Sequence, residues 1–175
     1  MDVLTTEQRQ RCMASISGKN TKPELIVRKL LFSMGYRYRL HYPKLPGKPD
    51  LVFPGKRKVI FIHGCFWHRH DCKKGKSLPS NNSEFWEKKL ADNQRRDSRN
   101  IIDLKKLGWN ALVIWECQIG DLQSLADNLH SYLQAKNEEF LQNVTTFLRP
   151  PLPWNDINFE SGKRLIVAAI RRPIK

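Results

Sequence analysis

The chain has 175 residues, 31 Lys and Arg against 17 Asp and Glu, and a net charge of +14. That length suits one domain with a buried core, and the charge favours an anionic partner, nucleic acid first, over a neutral or acidic one. No apolar run nears the roughly 20 residues of a membrane span, and M-D-V-L-T-T-E-Q lacks the basic start and apolar core of a secretory signal, so the expectation is a cytoplasmic monomer with no membrane partner.

Residues 1–20 read as a polar, basic N-terminal arm with scattered Leu4, Met13 and Ile16. The arm either docks on its own domain or enters a nucleic-acid groove. Thr21-Lys22-Pro23-Glu24 opens a helix, with Thr21 as N-cap, Pro23 in the first turn and Glu24 closing a capping box. Val27, Leu30, Leu31 and Met34 then form one apolar stripe, and Gly35 is a stop. Residues 36–42, Y-R-Y-R-L-H-Y, alternate strictly. This predicts a strand with Tyr36, Tyr38, Leu40 and Tyr42 inward and Arg37, Arg39 and His41 outward.

The loop P-K-L-P-G-K-P delivers Asp50 to the head of the strand Leu51-Val52-Phe53, and Pro54-Gly55 turns into a second strand over 58–62. Paired as a hairpin, these strands bring Asp50 near residues 62–63. Residues 73–83 read as a basic loop. A long helix is expected from about Glu84 to Leu107, ended by Gly108. Its middle, D-N-Q-R-R-D-S-R-N, has no apolar residue and is either solvated surface or faces a charged site. W-N-A-L-V-I-W at 109–115 predicts a buried central strand leading to Glu116 and Cys117, and 121–136 an amphipathic helix through Leu122, Leu125, Leu129 and Leu133. The fold expected is α/β, a mixed sheet flanked by helices. The domain runs over 21–147, with 148–175 as an extension of unassigned role.

Charge is segregated along this order. Residues 56–76 hold seven basic and one acidic side chain, and 118–147 one basic and four acidic, as a binding face requires.

The stretch K-V-I-F-I-H-G-C-F-W-H-R-H-D-C places His63, Cys65, His68, His70 and Cys72 within ten residues of a chain with five histidines and four cysteines. Cysteines of a cytoplasmic protein serve more often as ligands or free thiols than in disulfides, and thiolates with imidazoles suit zinc. A fourth ligand must come from elsewhere. Cys117 at the end of the 109–115 strand is the preferred donor, and Cys12 is the other cysteine. The set Cys65, His70, Cys72 and Cys117 makes a closed structural site. Phe66 and Trp67, between these ligands, would be held rigidly.

A second site starts from Asp50. A carboxylate heading a strand, with the Ile62 carbonyl on the next one, offers the hard oxygens that Mg²⁺ takes. A second carboxylate and a lysine on that strand are missing, and His63 and His68 stand there as candidate proton acceptors. The bland alternatives are a turn-capping Asp50 and a Glu24 that only caps its helix.

L-P-G-K-P-D-L-V at 45–52, V-I-F-I-H-G-C-F-W-H-R-H-D-C at 59–72, E-F-W at 84–86, R-D at 96–97 and L-G-W-N-A-L-V-I-W-E-C at 107–117 resemble the very-short-patch mismatch repair endonucleases, over roughly residues 8–135. The resemblance implies a restriction-endonuclease-like fold and nicking of double-stranded DNA 5′ to the T of a T:G mismatch left by deamination of 5-methylcytosine, with mismatch-repair proteins as candidate further partners. It implies Asp50 as Mg²⁺ ligand beside the Ile62 main-chain carbonyl, His68 as general base, His63 and Asp97 in support, and Glu24 reaching the metal through water. It implies zinc on Cys65, His70, Cys72 and Cys117. Phe66, Trp67 and Trp86 would wedge into the duplex, with Met13 entering from the other groove. Ile62 replaces an expected threonine, a change that a main-chain ligand survives, and 148–175 has no counterpart in the family. Two other functions compete: a zinc-stapled DNA-binding module without catalysis, and an endonuclease with restriction-type site preference.

Overall fold

The computed structural model describes residues 5, 7, 8, 11, 19–80 and 82–135. Met13, Cys12, the 147/148 boundary and the extension lie outside them. Helix α1 (Lys22–Ser33) starts on the expected capping box: Thr21 Oγ1 accepts the Glu24 amide at 3.4 Å, and the Glu24 carboxylate accepts the Thr21 amide at 3.3 Å. Its inward face buries Val27 and Leu31, and also Glu24 and Arg28. Strands β1 (Arg39–Leu40), β2 (Leu51–Phe53) and β3 (Lys58–His63) follow, joined between β2 and β3 by a 3₁₀ turn at Pro54–Lys56. A one-turn helix α2 (Lys73–Lys76) lies within the basic stretch read as loop. Then come α3 (Ser83–Lys106), β4 (Asn110–Trp115) and α4 (Leu122–Gln134).

Among the described residues the sheet has four strands in the order β1-β2-β3-β4. The β1–β2 and β2–β3 pairs are antiparallel and β3–β4 is parallel, with His63 opposite Trp115. The sheet is mixed and flanked by helices, an α/β fold. Pleating divides the strand side chains. Val52, Val59 and Phe61 pack on Leu104 of α3 together with Leu45.

Two expectations change. The strand over 36–42 reduces to two residues, and Leu40 is exposed. The alternation breaks at Leu40, and His41 just beyond it adopts a left-handed backbone, φ +44°, with its ring half-buried. The 109–115 strand is an edge of the described sheet, and only Ile114 in β4 is buried. The central place belongs to β3, buried at five of its six positions.

Helix α4 is tied to the sheet by polar groups. Lys58 is 1% exposed, and its Nζ donates to the carbonyls of Tyr132 (2.5 Å) and Ala135 (2.6 Å). It thus caps the negative end of the α4 dipole. The Tyr132 hydroxyl lies 2.9 Å from the Val59 carbonyl and 2.8 Å from that of Asn110, bridging β3 and β4. Lys58→Met keeps the buried stem but leaves two carbonyls without their donor. It should destabilise the fold by about 1–3 kcal/mol, read as a lower denaturant midpoint at unchanged slope.

Candidate active site and metal centre

Asp50 sits at the entrance to β2, and the hairpin register carries it to the far end of β3. Its Oδ2 accepts the Ile62 amide at 2.7 Å. Burial pushes its carboxyl above the ordinary range. The Ile62 bond pulls the other way, nearby Glu24 adds to the rise, and His41 and Arg28 oppose it. A buried carboxylate of this kind favours a cation beside it.

Glu24, 2% exposed, is both the helix cap and a neighbour of Asp50. One oxygen is engaged by the Thr21 amide. The other meets Arg28 Nη2 and lies 3.2 Å from His41 Nε2. Arg28 also bonds Asn20 Oδ1 at 2.8 Å. Ligand atoms of Glu24, His41 and Asp50 all fall within 4.8 Å of one another. Sequence reasoning missed His41 and Arg28. The i,i+4 spacing from Glu24 could have flagged Arg28. His41 had no such signal, because strict alternation assigned it to solvent.

His63 closes β3, and its ring stacks on that of His68, centroids 3.8 Å apart and planes 9° apart. Burial, with His68 and Arg96 beside it, pushes His63 down to about 3. His68 Nδ1 is 2.5 Å from Asp97 Oδ2, and Asn93 Nδ2 donates to the Trp67 carbonyl at 3.0 Å. The polar middle of α3 therefore faces this site. The arrangement leaves Nε2 of His68 as a proton acceptor, with Asp97 fixing the ring.

Cys65, His70, Cys72 and Cys117 gather into one cluster with donor atoms within 4.8 Å. Four ligands at about 2.0–2.3 Å from one zinc-sized ion leave edges of about 3.5–3.8 Å. His70 Nδ1 lies 3.3 Å from Cys117 Sγ and 3.8 Å from Cys65 Sγ, two edges close to those of such a tetrahedron. Burial, with the Cys117 and Cys72 thiols beside it, pushes the Cys65 thiol up to about 12, while hydrogen bonding to His70 holds Cys72 down at about 6. The His70 ring stacks on Trp115, centroids 4.4 Å apart. The parallel register supplies Cys117: Cys65 and Cys117 each lie two residues past the paired His63 and Trp115.

Sequence reasoning also missed Gly75. A Cβ there would collide with the His70 carbonyl oxygen and lie 2.7 Å from the His70 amide nitrogen. The α2 turn therefore packs directly on the His70 backbone. Arg69, left-handed at φ +53°, donates to the carbonyls of Gly75 and Ser77 at 3.3 and 3.4 Å. The signal was the lone glycine in K-K-G-K.

Phe66, Trp67 and Trp86 are half-buried and meet as one group, with centroids 5.2–6.0 Å apart. Phe85 extends the group, 5.6 Å from Trp86 and 58% exposed. Lys89 Nζ lies 5.2–5.9 Å from the Trp86, Phe85 and Trp67 rings, within cation–π range. Met13 lies outside the described residues.

A family model described as DNA mismatch endonuclease Vsr matches residues 1–74. A nicking enzyme of Xanthomonas oryzae pv. oryzae, Type II nicking enzyme V.XorIIP, is 46% identical over 132 residues, 75% of this chain and 96% of that protein. The chain belongs to the Vsr family. DNA mismatch endonuclease Vsr of Escherichia coli K12 is 40% identical over 126 residues, 72% of this chain and 80% of its own length. Type II nicking enzyme V.NmeAIP of Neisseria meningitidis is 45% identical over 118 residues, 67% and 84%. The matched Vsr segment contains Glu24, Asp50, His63, Cys65, His68, His70 and Cys72, while Trp86, Asp97 and Cys117 lie beyond it. As a Vsr-family protein the chain is a DNA endonuclease. Among its described residues no helix is long and apolar enough to cross a membrane.

Gly75→Ala forces the α2 turn off His70. It should reduce the metal retained by the purified protein, read by elemental analysis. It should also lower Tm, since overpacking costs about 1–3 kcal/mol at about 2–4 °C per kcal/mol in a chain of this size.

Proposed function

We propose that this Vsr-family chain hydrolyses one phosphodiester of duplex DNA, 5′ to the T of a T:G mismatch, in repair of deaminated 5-methylcytosine. It does so with a catalytic Mg²⁺ and a structural zinc, on a sheet of restriction-endonuclease type. The observation that carries this reading is the adjacency of two groups. Asp50 is seated on the Ile62 amide, and the stacked His63–His68 pair with Asp97 begins one residue further along β3.

The donor chemistry separates the two ions. Asp50 and Glu24 with the Ile62 carbonyl are hard oxygens suited to Mg²⁺. Asp50 would hold the ion directly, and Glu24, its oxygens engaged by Arg28 and Thr21, through water. The thiolates of Cys65, Cys72 and Cys117 with His70 suit zinc and leave no ligand position open. Mg²⁺, when bound, offsets the charge that grows on the phosphate.

The protein's own groups do the rest. His68 Nε2 takes the proton of the attacking water. Asp97, on Nδ1, holds the ring in the competent tautomer and stabilises the imidazolium that forms. His63, pushed down to about 3, carries no charge to repel that imidazolium across the 3.8 Å stack. Phe66, Trp67 and Trp86 insert between base pairs. Unstacking costs a few kcal/mol per step, and less at a wobble pair that is already displaced, so the mismatch is selected partly by deformability. The relatives called Type II nicking enzymes favour a second reading, in which a fixed flanking sequence rather than the mismatch decides where the nick falls.

Asp50→Ala should abolish Mg²⁺-dependent nicking, and His68→Ala should slow it by about 10²–10⁴, with duplex affinity largely kept in both. A His68→Ala protein that nicks at the normal rate would remove the base assignment. Trp67→Ala should weaken binding to a T:G duplex by about 1–3 kcal/mol, the worth of one base–aromatic stack, and binding to the matched duplex by clearly less, measured as Kd on labelled oligonucleotides. Equal losses would make the rings ordinary packing.

A further inference from the structure

His41 is the one residue of the Asp50 cluster whose place no motif explains. Its backbone is left-handed, φ +44°, a conformation uncommon for a residue with a Cβ, though histidine takes it up more readily than most. Two sets of contacts accompany it here. The His41 amide donates to the Asp50 carbonyl at 3.2 Å, the last rung beyond the β1–β2 pairing. Its ring is then drawn inward, with Nε2 at 2.9 Å from Arg28 Nη2 and Nδ1 at 4.0 Å from Asp50 Oδ1.

The guanidinium decides the tautomer. Arginine only donates, so a proton on Nε2 would meet an Arg28 N–H head-on at 2.9 Å. Nε2 therefore presents its lone pair to Arg28, even with Glu24 Oε1 at 3.2 Å, and the ring proton sits on Nδ1. That N–H faces Oδ1, the Asp50 oxygen that the Ile62 amide does not hold. At 4.0 Å it acts through its dipole or one bridging water rather than a direct bond.

We propose that His41 is a positioning residue of the Asp50 cation site: Arg28 locks it as the Nδ1–H tautomer, and this N–H orients the Asp50 carboxylate for the ion. The proposal rests on Asp50 as cation ligand. It also distinguishes His41 from an inner-sphere nitrogen ligand, whose ring nitrogen facing Asp50 would have to be unprotonated.

The test uses the full chain, with Mn²⁺ as the calorimetric probe and diamagnetic Mg²⁺ in the spectra. Long-range ¹H–¹⁵N spectra of the His41 ring should show the Nδ1–H tautomer in the metal-free chain, retained when Mg²⁺ is added. In Arg28→Met the tautomer should switch to Nε2–H, because Glu24 then draws the proton. By calorimetry, His41→Gly, which fits the left-handed backbone and lacks the ring, should bind Mn²⁺ about 10-fold more weakly, the usual scale for a residue that orients a ligand. His41→Asn tolerates the same backbone and returns an N–H near the Nδ1 position, so it should recover most of that loss. An Nε2–H tautomer in the unaltered chain, or a His41→Gly protein with unchanged Mn²⁺ affinity, would overturn the assignment of His41. An Asp50→Ala protein with unchanged Mn²⁺ affinity would overturn the cation site itself.

Discussion

The bond from the Ile62 amide to Asp50 Oδ2, 2.7 Å long, is the contact on which the rest of the centre depends. It exists because β2 and β3 pair with Leu51 opposite Ile60. Shifted by one residue, the hairpin would place Asp50 at a different amide and turn His63 to the other face of the sheet. The same strand end then supplies everything downstream: the Ile62 carbonyl, the His63 ring, and after Gly64 the loop with Cys65 and His68. A strand buried at five of six positions is a rigid carrier for such a constellation. Rigidity matters because positioning errors of about 1 Å can cost 10²-fold in rate.

The Cys/His cluster extends this rigidity beyond the sheet. Three of its members come from the loop after β3 and the fourth from the end of β4. Parallel pairing of His63 with Trp115 sets both sides at the same height. Between the first and second members lie Phe66, Trp67 and His68. Two of the clustered aromatic rings and the candidate base therefore share one short segment flanked by cluster members at both ends. The middle of α3 closes over it through Asp97 and Asn93, which explains a helix segment with no apolar residue.

Much of this was legible because the signals are local. The capping box at Thr21–Glu24 is a four-residue pattern. The hairpin is written in P-G between two apolar runs. The Cys/His cluster stands out by residue type, and the spacing of Cys65 and Cys117 from two strands follows once those strands are recognised. What the sequence concealed is non-local or conformational. Periodicity reports average burial, so Y-R-Y-R-L-H-Y reads as a strand to its end. It says nothing of a single left-handed residue at His41, which meets Asp50 and Arg28. The apolar run W-N-A-L-V-I-W reads as central, yet β4 lies at the edge of the described sheet, half-buried. Gly75 looked like loop composition, and only the backbone of His70 beneath it shows why a side chain cannot stand there.

The most direct measurement of the central claim is strand-resolved cleavage of two end-labelled duplexes that differ only in one base pair, T:G against T:A, with Mg²⁺ and the full chain. The account predicts a single nick immediately 5′ to the T of the T:G pair, no product on the matched duplex and none without the divalent ion. Nicking of both duplexes at the same position, or cleavage of both strands, would contradict it.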